Sequence, residues 1–112
     1  MYMWLFTSKT LLSVVADKDQ PDGPKLLVRS RVQGDIEEIF PNADVNETPQ
    51  GDYRFRAWIA REEVAQAVSR YVDELSYPNF KNSVTDKQRL NPLMKVWQTM
   101  YNHQEGRIHS AD

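Results

Sequence analysis

Residues 52–64 read DYRFRAWIAREEV. In an extended chain, Tyr53, Phe55, Ala57 and Ile59 fall on one face, and Arg54, Arg56 and Trp58 on the other. From Arg61 onward the apolar period lengthens. Val64, Ala67, Val68, Tyr71 and Leu75 line one side of a helix, and Glu62 and Glu63 sit in its first turn, where the helix dipole favours acids. The stretch therefore predicts a half-buried strand over 53–60 running directly into an amphipathic helix over 61–75. A strand with an arginine-bearing outer face needs neighbours, and the helix needs the inner face of a sheet.

Working outward, KLLVRSRV (residues 25–32) has the same alternation. Leu26, Val28, Ser30 and Val32 share one face, and Leu27, Arg29 and Arg31 the other. Met3–Phe6 and Thr10–Ala16 read as two further strands joined near Ser8-Lys9. DKDQPDGPK (17–25) is a polar turn. Asp35–Phe40 reads as a short helix stopped by Pro41, with Asp35 as N-cap and Glu38 three residues on. Val45–Thr48 fits a short edge strand. SYPNFKNSV (76–84) reads as a loop, its aromatics Tyr77 and Phe80 pinning it down. A last helix is expected from Thr85 to Asn102, capped by the T-x-x-Q spacing of Thr85 and Gln88, with Pro92 breaking or kinking it. Leu90, Leu93, Met94, Trp97, Met100 and Tyr101 form its apolar stripe. Strands mixed with helices in this order predict an α+β fold: an antiparallel sheet backed by helices in one domain over 1–102, with a ferredoxin-like sandwich as the expected arrangement. HQEGRIHSAD (103–112) reads as a flexible tail.

The chain has 112 residues, 40% hydrophobic and 27% charged, which suits a single packed core rather than a disordered polyelectrolyte. There is no cysteine, so disulfides, thiolate metal sites and cysteine nucleophiles are excluded. The only histidines, His103 and His109, lie near the end with no positioned acid, so no metal, cofactor or catalytic residue is assigned, and the chain reads as a non-enzyme. MYMWLF lacks the basic region and cleavage site of a secretory signal, and no apolar run is long enough to span a bilayer. A cytoplasmic protein without membrane contact is the expectation.

The candidate site is the outer face of the two alternating strands. If they are neighbours, Arg29, Arg31, Arg54 and Arg56 gather beside Trp58. Guanidinium forks bind phosphate, and aromatic rings stack on bases, so this face suggests nucleic acid or another phosphate-bearing ligand. An ordinary solvated sheet face, with arginine stems covering apolar surface and heads pairing with acids, would show the same residues. Charge is segregated. Residues 35–47 carry five acids and no base, while residues 77–101 carry Lys81, Lys87, Arg89 and Lys95 against Asp86 alone. Lys81, Lys87 and Arg89 therefore join the candidate ligand-binding set. The alternative function is a protein-interaction module, such as a phage or mobile-element inhibitor of a larger machine.

RVQG (31–34) resembles the phosphate-cradling turn of acylphosphatases, but Asp35-Ile36-Glu37-Glu38 follows it where that family carries its phosphate-clamping arginine. Acids at a helix start occupy the place of an anion, so this segment reads as a turn and cap. MWLFT, DYRFRAWIAREEV, YPNFKNSV and VWQTM together resemble a family of small uncharacterised bacterial proteins. That resemblance implies a compact cytoplasmic domain and no particular activity.

Overall fold

The fold is that of a computed structural model, which describes residues 2–76 and 78–109. Two compact units can be distinguished, Met1–Ser76 and Tyr77–Asp112. Tyr77, expected to help pin the loop, lies outside the described residues, as do Ser110–Asp112 of the expected tail.

The first unit holds strands β1 (Tyr2–Phe6), β2 (Leu11–Ala16), β3 (Lys25–Ser30), β4 (Asn46–Glu47) and β5 (Phe55–Ala60), with helices α1 (Asp35–Ile39) and α2 (Arg61–Asp73). The strands form one antiparallel sheet in the order β1-β2-β3-β5-β4. The α+β class expected from the sequence is therefore the class adopted. The sheet is a three-strand meander extended by β5 and β4.

Register explains which face is covered. Leu12, Val14, Val28, Ala57 and Ile59 alternate inward and pack with Ile36, Ile39 and Phe40 of the α1 segment and with Val64 and Ala67 of α2. Val28 pairs across to Ala57 and Val14, and Leu26 to Ile59, so one face carries a continuous apolar surface. At about 25 cal/mol per Å² of apolar area removed from water, this layer supplies the main driving force for the unit. Among the described residues of this unit, no helix lies on the opposite face.

Local details depart from the sequence expectations in two places, and a third ties distant segments together. Asp35 is not the N-cap of α1. Gly34 occupies that position with φ 93°, a left-handed conformation that glycine adopts without a Cβ penalty. Asp35 is instead buried in the first turn, and its Oδ2 accepts the Leu11 N–H of β2 at 3.0 Å. The carboxylate thus fastens α1 to the start of a strand. Tyr53 does not continue the alternation of β5, because residues 51–54 bend before the strand begins at Phe55. Finally, the turn before β3 is tied to the start of α2 through Arg61, whose backbone N–H donates to Pro24 O and whose guanidinium donates to Gly23 O and Pro21 O.

In the second unit, one helical turn, α3 (Phe80–Ser83), interrupts the expected loop, and α4 runs from Lys87 to His109. The cap of α4 is Asp86 rather than Thr85. Asp86 Oδ1 accepts the Gln88 N–H at 2.9 Å, and its carbonyl accepts the Leu90 N–H at 2.9 Å. Pro92 lies within the helix and does not break it, although its nitrogen cannot donate to the Gln88 carbonyl. The helix also continues past Asn102, where the sequence suggested a flexible tail. Side-chain bonds one turn apart accompany this extension, Gln98 to Asn102 at 2.9 Å and Tyr101 to Glu105 at 3.2 Å.

Candidate ligand-binding face

The sheet face opposite α1 and α2 is built by the same alternation that makes the core. One row crosses all five strands: Trp4, Ser13, Arg29, Arg56 and Asn46 are successive cross-strand partners. The next row includes Val15, Leu27 and Trp58. Trp4 is 52% exposed and Trp58 48%. Two of the five positions in the charged row are arginines directly opposite each other, an arrangement that needs compensation.

Compensation takes two forms. Arg56 donates from Nη2 to Asp52 Oδ1 at 3.0 Å and from Nε to the Tyr53 carbonyl at 3.3 Å. Arg54, exposed beside it, donates from Nε to Glu47 Oε1 at 2.8 Å. Both are thus engaged by acids of their own sheet region. Arg29 and Arg31 are engaged differently. Their guanidinium carbons lie 4.5 and 3.9 Å from the centroid of the same Tyr53 ring. Arg29 Nη2 also donates to Ser13 Oγ at 2.9 Å, while its buried Nε meets no acceptor among the described residues. Among those residues, neither Arg29 nor Arg31 has a carboxylate within ion-pair distance.

Tyr53 reports the resulting field. Burial, the largest influence, pushes its hydroxyl toward a higher pKa. Hydrogen bonding with Ser13 and Arg31, together with the charges of Arg31 and Arg29, outweighs burial and leaves the pKa below its ordinary value of 10.0. The potential at this phenol is therefore positive. Two cations on one aromatic ring, with a serine hydroxyl beside them, form a place where an anion's oxygens can be met by charged N–H groups.

The sequence-derived candidates divide between the units. Arg29 and Arg56 are cross-strand partners and Trp58 lies in the next row, whereas Arg31 and Arg54 lie in the bends that flank β3 and β5, where Arg31 meets Arg29 over the Tyr53 ring and Arg54 pairs with Glu47. Lys81, Lys87 and Arg89 belong to the second unit, on α3 and the first turn of α4. That unit has its own groove of about 610 Å³, lined by Pro78, Phe80, Lys81, Leu93, Met94 and Trp97 among others. Sequence reasoning missed Tyr53 and Ser13 as members of the sheet site. The alternation of Leu11, Ser13 and Val15 carried a signal for Ser13, but only the β2–β3 register places it opposite Arg29.

Among the described residues, no three metal-ligating side chains converge, and no helix is long and apolar enough to cross a membrane. Comparison of the chain with protein-family models, with curated proteins and with solved structures returned no match.

Proposed function

We propose that the protein binds a phosphate-bearing chain, single-stranded nucleic acid, across the sheet face opposite α1 and α2. The observation that carries this reading is the Arg29–Tyr53–Arg31 stack, two guanidinium groups on one ring without an ion-paired carboxylate. Phosphate oxygens meet Arg29 and Arg31, and bases stack on the exposed rings of Trp4 and Trp58. Arg54 and Arg56 contribute less, because Glu47 and Asp52 already hold them. The net charge of −2 is compatible with a local site, since binding depends on potential at the contact rather than on the total.

The test is a fluorescence titration with a mixed-sequence single-stranded oligonucleotide at several salt concentrations. The Arg29→Gln/Arg31→Gln variant should bind at least tenfold more weakly, with its log–log salt slope reduced by about 1.4, or ~0.7 for each of two lost phosphate contacts. Arg54→Gln should change the slope little. A double variant that stays folded and binds with unchanged affinity and slope would sink the proposal. In that case the second reading takes over, a protein-interaction surface. The observation favouring it is that Trp4 and Trp58 expose large apolar area on the same face.

A further inference from the structure

We infer that Arg29 and Arg31 together hold a terminal phosphate of the nucleic-acid strand, a phosphate monoester at its end, in preference to an internal phosphodiester. This rests on the reading of the sheet face as a single-strand site and adds which part of the strand the two arginines take. Their place in the fold comes first. β3 ends at Ser30, which pairs with Phe55, the first residue of β5. Arg29 is the next-to-last residue of β3, and the exposed Arg31 lies just past its end. The bend over residues 51–54 sets Tyr53 against both guanidiniums. The two cations are therefore at the rim of the sheet, not midway along it. Trp58 stands one row further in, opposite Leu27 and about 6.8 Å along β5 from Arg56. A strand whose end sits at the rim has its first bases over that row.

Charge selects the kind of phosphate. Glu47 and Asp52 already hold Arg54 and Arg56. Among the described residues, no carboxylate lies within ion-pair distance of Arg29 or Arg31, so the rim keeps two positive charges. An internal phosphodiester brings one negative charge and two free oxygens, which a single guanidinium fork fills. A terminal monoester brings roughly −1.5 to −2 at neutral pH and three strong acceptor oxygens, which suits two forks. Donors are available for it. Arg29 Nη2 donates to Ser13 Oγ and its Nε meets no acceptor among the described residues, so this side chain is not saturated. Both guanidinium carbons lie within 4.5 Å of one ring centroid, so two such lengths bound their separation. A phosphate with oxygens on either side spans a gap of that order. The floor of the site is fixed in advance, because Ser13 and Tyr53 are both buried.

The probe is one mixed-sequence single-stranded oligonucleotide in three forms: with a 5′-phosphate, with a 3′-phosphate and with neither. In fluorescence titrations of the wild-type chain, one or both phosphorylated forms should bind about tenfold more tightly than the unphosphorylated form, the scale of one added charge-assisted contact. The form that gains identifies the end that is held. Arg31→Gln, at an exposed position, should bring that ratio close to one. Lys18→Gln removes the same charge beyond the far end of β2, past Ala16 and its partner Leu26, and should leave the ratio as it is. If the unphosphorylated strand binds as tightly as both phosphorylated forms, this inference is overturned while the single-strand reading stands. A ratio that survives Arg31→Gln, or falls equally in Lys18→Gln, also overturns it, because the preference then comes from another place or from net charge. Absence of binding by all three forms overturns both.

Discussion

Tyr53 shows how one side chain can be set by forces of opposite sign. It is only 5% exposed, and burial disfavours a phenolate. Yet Ser13, Arg31 and Arg29 together lower its pKa below 10.0. Tyr71 has no such surroundings. Burial first, then the charge of Glu38, raises its pKa, with Arg70 opposing. For Tyr53 the folded state favours the charged form. Its contribution to stability is complete above 10.0 and is lost as pH falls through the lowered folded value. For Tyr71 the contribution is present below 10.0 and disappears as pH rises through the raised folded value. In a phenolate absorbance titration of the five tyrosines, Tyr53 should ionise early and Tyr71 late. Tyr53→Phe should remove the early step, and Arg31→Gln should move it toward 10.0. An early step that persists in Tyr53→Phe would show that the two guanidiniums do not set the field there. None of this was legible in DYRFRAWIA, where simple alternation assigned Tyr53 to the apolar face. The bend over residues 51–54 reverses that assignment, and only backbone geometry reveals it.

At the scale of elements, periodicity located strands and α2 well because their apolar residues must meet one core. Ends were harder to read. Thr85-Asp86 offers two adjacent caps, and T-x-x-Q spacing favours the first, whereas the Asp86 carboxylate is the one that reaches an N–H. Asp35 was misread for a related reason. An acid after glycine fits a local cap, but its partner, Leu11, lies 24 residues away in sequence. The apolar stripe of α4 also overstated burial. Leu93 is 8% exposed, whereas Trp97 is 55% exposed and stacks on Tyr101 with centroids 5.4 Å apart. Leu93→Ala should therefore cost about 2–5 kcal/mol, as for other core leucines, whereas Trp97→Ala should cost only about 1 kcal/mol, the scale of a lost aromatic pair. Urea denaturation of the two variants checks the ranking. A larger loss for Trp97→Ala would mean that its ring is anchored by more than its neighbour on the helix.

At the scale of the whole molecule, contacts group residues 1–76 and 77–112 into two compact units, a boundary that no linker composition marks in the sequence. The apolar core cluster lies wholly in the first unit. Its buried members run from Leu12 to Ala67, with Leu5, Val68 and Tyr71 packed against them. The Arg29–Tyr53–Arg31 stack is also there. A fragment ending at Ser76 keeps every strand, both helices that cover the sheet, and the Asp35–Leu11 bond that joins the two layers. Per-residue stabilities of ordinary domains, ~0.05–0.15 kcal/mol, would give roughly 4–11 kcal/mol for a unit of this length, and a small core places it near the lower end. The fragment should therefore unfold in one cooperative transition and keep the early-ionising Tyr53. It should also retain oligonucleotide binding that responds to Arg31→Gln, because Ser13, Arg29, Arg31 and Tyr53 all lie within it. A fragment that folds but no longer binds would move the ligand site toward the basic residues of α3 and α4. A fragment without a cooperative transition would show that the sheet needs the second unit for stability, despite holding the core cluster itself.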